Sequence, residues 1–257
     1  MATWTPFPYS GEYEFDVSSL KNNWARLHTG DCEPLPEEAA VLQAWVLFHN
    51  GEFQQAAEAG INAGGDGITV ANKATSIYAN YLEKKEKTKL ELLMEVAGRA
   101  EAQQATDPNN PNAWYWQAYA LGRYSQGISV AKALAQGLGC KVKQSLEQAI
   151  KLCPEHADAH IGLAAFHAEV IDKVGSLIGG MTYGTKKDTG LALFKEALKL
   201  NPGSAIAMME HSNGMVMLEG DNKMKDATRL YEQAAATKPM DAMERLDVEM
   251  AKAELDD

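Results

Sequence analysis

Cysteine is scarce in this chain: Cys32, Cys140 and Cys153 are the only three among 257 residues, and no Cys-x-x-Cys spacing joins them. So few thiols, so far apart, exclude a disulfide framework or a zinc knuckle and suit a reducing, cytoplasmic compartment. Cations are short as well. Lys and Arg number 24 against 35 Asp and Glu, a formal net charge of -11. A nucleic-acid partner is therefore not expected, because such binding draws most of its affinity from clustered Lys and Arg. Long apolar runs are also missing. Nothing reaches the ~18 consecutive apolar residues of a membrane span. The opening Met-Ala-Thr-Trp-Thr-Pro-Phe-Pro has neither the basic nor the apolar region of a secretory leader. The expectation is a soluble cytoplasmic protein with no membrane span.

What is present is enough apolar material, 46% of residues, to build a continuous core. Proline organises it. Asp107-Pro108, Cys153-Pro154, Asn201-Pro202 and Lys238-Pro239 each follow one helix-like stretch and precede another. Proline cannot continue a helix and is tolerated in the first turn of the next, so these dipeptides mark junctions.

The stretches before three of these prolines superimpose. Leu146, Phe194 and Tyr231 share one offset from their proline, and Ala149, Ala197 and Ala234 share another, a helical turn later. A bulky residue followed by alanine at that spacing makes a knob and a gap on one helix face, so a neighbour can pack close. After the prolines, Pro154-Glu-His-Ala-Asp-Ala matches Pro202-Gly-Ser-Ala-Ile-Ala, and Pro108-Asn-Asn-Pro-Asn-Ala keeps the outline. Self-similarity at roughly 35 to 48 residues is the mark of stacked helix pairs, of which tetratricopeptide units take about 34 residues each.

The chain thus resembles tetratricopeptide-repeat proteins in Phe166, in Trp114-Tyr115-Trp116 with Ala118, and in the turn Asn50-Gly51-Glu52-Phe53 followed by Ala56. The fold this implies is an all-α solenoid of about five antiparallel helix pairs. It would occupy residues 37–240, between an aromatic N-terminal cap segment at 1–36 and a capping helix at 241–257. A first pair is expected over 37–50 and 52–63, a second over 69–82 and 87–105. The second pair carries Ala100 and Gln103 where the others have the bulky residue and alanine. More narrowly, the segment Ala120-Leu-Gly-Arg-Tyr-Ser-Gln-Gly-Ile-Ser-Val-Ala-Lys-Ala-Leu-Ala-Gln-Gly-Leu, with Leu191 to Pro202, resembles bacterial relatives of the regulator of microtubule dynamics family. That resemblance implies lipid binding.

The resemblance also implies non-enzymatic function: a scaffold that binds a protein or peptide along the concave face lined by the first helix of each pair. Trp45 and His49, then Tyr115, Tyr119 and Arg123, then Ile161, Ala165 and Glu169 are placed there. The mixture is aromatic with few cations. Repeat proteins that clasp a peptide's terminal carboxylate use clustered Lys, Arg and Asn, which this set lacks.

Two units carry apolar insertions where loops between paired helices ordinarily run about 2 to 8 residues. Ile128, Ala131, Leu134, Ala135 and Leu138 fall at helical spacing after Tyr124, and Ile171, Val174, Leu177 and Ile178 do so before the glycine-rich break that ends at Gly184. Each insertion should prolong its preceding helix, giving two extended helices side by side. They either pack on each other, on the N-terminal segment or on a second copy of the chain, or line a pocket for an apolar small molecule. Ile128, Leu134, Ile171, Leu177, Met181 and Tyr183 would form that pocket. The terminal stripe Met243, Leu246 and Met250 is a second surface for self-association, or packs back on the last pair.

No catalytic constellation or cofactor site is expected. His156 and His160 lie four apart, but His160 and His167 stand about 10 Å apart along a helix and cannot share a metal ion. Gly137-Leu-Gly-Cys-Lys141 lacks the spacing of a phosphate loop, and Gly64-Gly65-Asp66-Gly67 reads as a turn. Trp4, Phe7, Tyr9, Tyr13, Phe15 and Trp24 are costly to leave in water, so the N-terminal segment should fold back on the first pair, with a short helix from Asp16 through Leu27.

Overall fold

The computed structural model describes residues 3–256, which are helical with no strand among them. Two compact units form: the first takes the chain up to His28, Glu33–Leu152 and Met240–Met243, and the second takes Thr29–Cys32, Cys153–Pro239 and the chain from Glu244 onward.

In the first unit α1 (Val17–Leu27) begins where Asp16 and Ser19 cap each other reciprocally, the Ser19 amide donating to the Asp16 carboxylate at 2.7 Å and the Asp16 amide to the Ser19 hydroxyl at 2.9 Å. Helices α2 (Ala39–His49) and α3 (Phe53–Ala63) make one pair, and α4 (Gly67–Tyr81) and α5 (Glu86–Thr106) the next. Then come α6 (Pro111–Gln126), a short α7 (Val130–Ala135) and α8 (Leu138–Leu152), with α6 and α8 paired. Pro111 opens α6 behind Asn110, whose side chain accepts from two amides of the first turn. The N-terminal aromatics fold back: Trp4 stacks on Tyr78 at 4.2 Å, Phe7 meets Phe53 edge-on, and Phe15 and Asn50 exchange two hydrogen bonds.

The second unit holds α9 (Ala157–Val174), α10 (Ser176–Tyr183), α11 (Lys187–Leu200), α12 (Ala205–Glu219), α13 (Met224–Ala235) and most of α14 (Ala242–Asp256). Here α9 pairs with α11 and α12 with α13. Val248 and Ala251 of α14 join Ala205, Met209 and Ala234 in one cluster with Met250 against it, so this face of the last helix packs on α12 and α13.

The repeated knob and gap are core in both units. Leu146 and Phe194 are buried, and Ala149, Ala197 and Ala234 are each 0% exposed, as close helix approach requires. In the second pair Ala100 is buried too, and Gln103 donates Nε2 to the Thr69 hydroxyl at 3.0 Å, its Oε1 being buried without a partner.

The insertions are helical but broken. α6 stops at Gly127 and Ser129 caps α7 as a new helix, while Gly175, at φ +82, ends α9 before α10 starts. The expectation of two continuous over-long helices is corrected to helices with short separate appendages: Gly175, in the left-handed region, ends α9, and Gly127, at φ −88, closes α6 ahead of the Ser129 cap.

Candidate partner-binding face

In the first unit α2 packs against α4 and α4 against α6, so the first helices of the three pairs share a face. Trp45 and His49 of α2 lie on it but are 0% exposed. They are roofed by the N-terminal part of the chain. Trp24 meets Trp45 edge-on at 5.7 Å, His28 lies edge-on to Trp45 at 4.7 Å, and Phe15 covers His49 at 5.8 Å. They are thus packed rather than open, covered by Phe15 and Trp24, while Trp4 goes to Tyr78 and Phe7 to Phe53.

A chain of buried titratable groups runs beneath the roof. His49 Nδ1 lies 2.7 Å from Asp241 Oδ2, and His49 Nε2 lies 3.3 Å from His28 Nε2. An ionised carboxylate only accepts, so the His49 Nδ1–H is the donor to Asp241. His28 stacks on Trp24 at 4.0 Å and is 3% exposed, so no substrate atom reaches the ring.

The contacts continue to α4 and α6. Lys73 is 4% exposed, with its ammonium over the rings of Trp45 at 5.5 Å and Phe48 at 5.2 Å. Trp24 donates its indole N–H to the Glu33 carbonyl at 2.8 Å, and the buried Glu33 carboxylate accepts from Asn112 Nδ2 at 2.6 Å. A lysine and an asparagine thus reach this face, against the cation-poor reading of the sequence. Arg99 of α5 donates to the Asn72 side-chain oxygen at 3.0 Å and the Thr75 hydroxyl at 2.8 Å. Burial pulls its guanidinium below the ordinary arginine range, partly offset by Glu95. Trp45 Nε1, Asn72 Nδ2, Ser76 Oγ and Trp116 Nε1 are buried without hydrogen-bond partners.

Sequence reading missed Lys73, Asn72, Asn112, Glu33, His28 and Asp241. One local signal existed. Lys73 is the single charge in a helix of small and apolar residues, Gly67–Tyr81, and a cation so surrounded is enclosed and partnered.

The outer end of α6 is more open. Tyr119 is half-buried, 6.2 Å from Tyr115 and 5.3 Å from Trp116, and the Arg123 guanidinium sits 5.6 Å over its ring. Tyr115 is 8% exposed. Beyond Arg123, Ile128 is half-buried, whereas Val130 and Leu134 of α7 are half-exposed.

In the second unit Glu169 pairs with Lys173 at 3.1 Å, one helical turn on, and Ile171 packs on the core of Ala164, Ala168, Phe194 and Leu218. Tyr183 meets Phe166 edge-on at 5.9 Å. By contrast, Leu177 is 75%, Ile178 58% and Met181 82% exposed. Ile171 and Tyr183 are therefore packed, while Leu177 and Met181 form an open apolar patch on α10. Ile161 is buried in the adjoining core with Ala197 and Ala207, and Ala165 packs on the same core as Ile171.

The histidines of α9 turn to the backbone. His156 Nδ1 accepts from the Ala159 amide at 3.1 Å as the helix cap, His160 Nδ1 bonds the His156 carbonyl at 3.0 Å, and His167 Nδ1 accepts from the Lys186 amide at 2.9 Å. Among the described residues no group of three His, Cys, Asp or Glu is placed to hold a metal ion, and no helix is long and apolar enough to cross a membrane.

These pairs define an all-α, tetratricopeptide-like helical-repeat fold. The chain is similar to the crystal structure of a thermophilic TPR protein from Thermus thermophilus, with a TM-score of 0.58 and 16% identity over 85% of this chain and 100% of that one. At that identity the likeness carries the fold. No protein-family model matches the chain, and no curated protein matches it.

Proposed function

We propose that this chain is a non-enzymatic interaction module of the cytoplasm. It binds a segment of a partner protein at the open end of the face formed by α2, α4 and α6, through Tyr119 and Arg123, with the buried Tyr115 packed behind Tyr119. One observation carries the reading: the same face already holds a stretch of its own chain as a ligand would be held, with Trp24 and His28 edge-on to Trp45 and the Glu33 carboxylate bound by Asn112. A surface that takes an aromatic and acidic segment in cis is suited to an aromatic and acidic segment in trans. Tyr119 and Arg123 extend it with a ring and a cation, the side chains that dominate protein interfaces. Fluorescence anisotropy with labelled aromatic-acidic peptides tests the chemistry: binding weakened at least about tenfold by Tyr119→Ala, roughly the 1.4 kcal/mol of one lost anchor, supports it. Equal affinity for the variant rejects it.

The second reading is a carrier or sensor of an apolar small molecule or lipid, favoured by the exposure of Leu177, Ile178 and Met181 on α10 and by the resemblance to the regulator of microtubule dynamics family. The same patch serves self-association equally well. Native mass spectrometry separates the two: an apolar adduct on a monomer supports the carrier, and a bare dimer supports self-association.

A further inference from the structure

The end of α1 meets the end of α2 through two imidazoles. His28 caps α1, its amide donating to the Trp24 carbonyl at 2.9 Å, and His49 is the last residue of α2. Both are buried, at 3% and 0% exposure. His28 stacks on Trp24 at 4.0 Å and lies edge-on to His49 at 5.2 Å, while Phe15, just ahead of α1, covers His49.

The two Nε2 atoms are 3.3 Å apart, and His49 Nδ1 is 2.7 Å from Asp241 Oδ2. A neutral imidazole has one N–H and one lone pair, whereas an imidazolium has two N–H groups and no lone pair. The bond between the Nε2 atoms therefore needs one of them to keep its lone pair. With the His49 Nδ1–H given to Asp241, the pair can be neutral or hold one imidazolium. It cannot hold two. Two N–H groups would then face each other across 3.3 Å, between like charges that burial keeps from water.

The surrounding charges do not relieve that conflict. Asp241 faces His49 from the residue ahead of α14, and one carboxylate balances one imidazolium. Lys73 of α4 holds its ammonium over Trp45 and Phe48, the rings packed on His49, so a further positive charge already stands on this face. The Glu33 carboxylate is taken up by Asn112 at 2.6 Å, and Glu14 and Asp16, which flank Phe15, are exposed.

We propose that His28 and His49 form a proton-sensitive latch: it holds α1 and Phe15 over Trp45 while one ring keeps its lone pair, and it opens, uncovering Trp24, Trp45 and His49, when both rings are protonated. Once released, His28 is an exposed imidazole with a pKa of about 6.5. The open form then binds at least one proton more than the closed form. Closure is therefore lost as pH falls, the open-to-closed ratio rising about tenfold per pH unit below that value for each proton taken up. The latch belongs to the chain alone and does not rest on a partner at Tyr119.

The test is hydrogen–deuterium exchange of the full-length protein from about pH 8 to about pH 5, read by mass on peptides of α1 and of α4 and corrected for the intrinsic pH dependence of amide exchange. The result expected is a loss of protection in α1, approaching tenfold per pH unit below about 6.5, with α4 unchanged and full recovery at high pH. His28→Gln keeps a hydrogen-bonding partner for His49 Nε2, His28→Phe keeps the stack on Trp24, and neither side chain takes up a proton. Both should make α1 protection the same at every pH, whatever its level. Constant α1 protection in the wild-type protein, a loss that α4 shares, or a pH dependence that survives in both variants would overturn the proposal.

Discussion

His49 Nδ1 and Asp241 Oδ2 meet at 2.7 Å across 192 residues of sequence, with side chains 0% and 5% exposed. The end of the first repeat helix is thereby pinned to the residue ahead of the last helix. Asp241→Ala leaves a buried imidazole N–H without an acceptor, so urea unfolding should show a loss of about 1–3 kcal/mol. Asp241→Asn keeps an acceptor and should lose less. In a double-mutant cycle with His49→Ala the two sites should couple by roughly 0.5–3 kcal/mol.

The repeated knob and gap give a second expectation. Phe194→Ala opens a cavity in a fully buried site and should cost about 3–5 kcal/mol. Ala197→Leu fills the gap beside it and should cost about 1–3 kcal/mol by overpacking. A gain of stability in Ala197→Leu would mean that the gap is not where α9 and α12 close on α11.

His211 provides a pH dependence. Its ring stacks on Phe194 at 5.2 Å with Nδ1 buried and unbonded. Burial, and then Lys195, lower its pKa from the ordinary 6.5, with Glu219 opposing. The unfolded chain thus takes up the proton first as pH falls. Its contribution to stability is complete above 6.5, declines as pH drops from there toward the lower folded value, and levels off below. His211→Phe preserves the stack and should flatten that part of a chemical-unfolding pH profile.

The α10 patch should behave as surface. Leu177→Ser with Met181→Ser should change unfolding stability by no more than about 0.5 kcal/mol per site. Binding of a hydrophobic dye should fall at the same time. A large destabilisation would show that the patch is covered in the folded protein.

Much of the fold was legible because its signals are local. Prolines mark the junctions, the bulky-residue and alanine offsets mark the packing face, and Asp16 with Ser19 marks the start of α1. The site was less legible. Trp45 and His49 fall on the expected face, but their burial depends on which surface the aromatic N-terminus covers, and spacing says nothing of that. Asp241 reaches His49 and Glu33 reaches Asn112 through contacts between residues remote in sequence, which leave no periodicity to read. Gly175 was visible, but the apolar run around it argued for continuity.

The most direct test of the interaction surface is a photo-cross-linking residue placed at Tyr119 of the full-length protein in its native cell. The result expected is one discrete protein adduct, competed away by excess wild-type protein and not by Arg123→Ala protein. No adduct at Tyr119, or one that both proteins compete equally, would contradict a partner-binding role for this face.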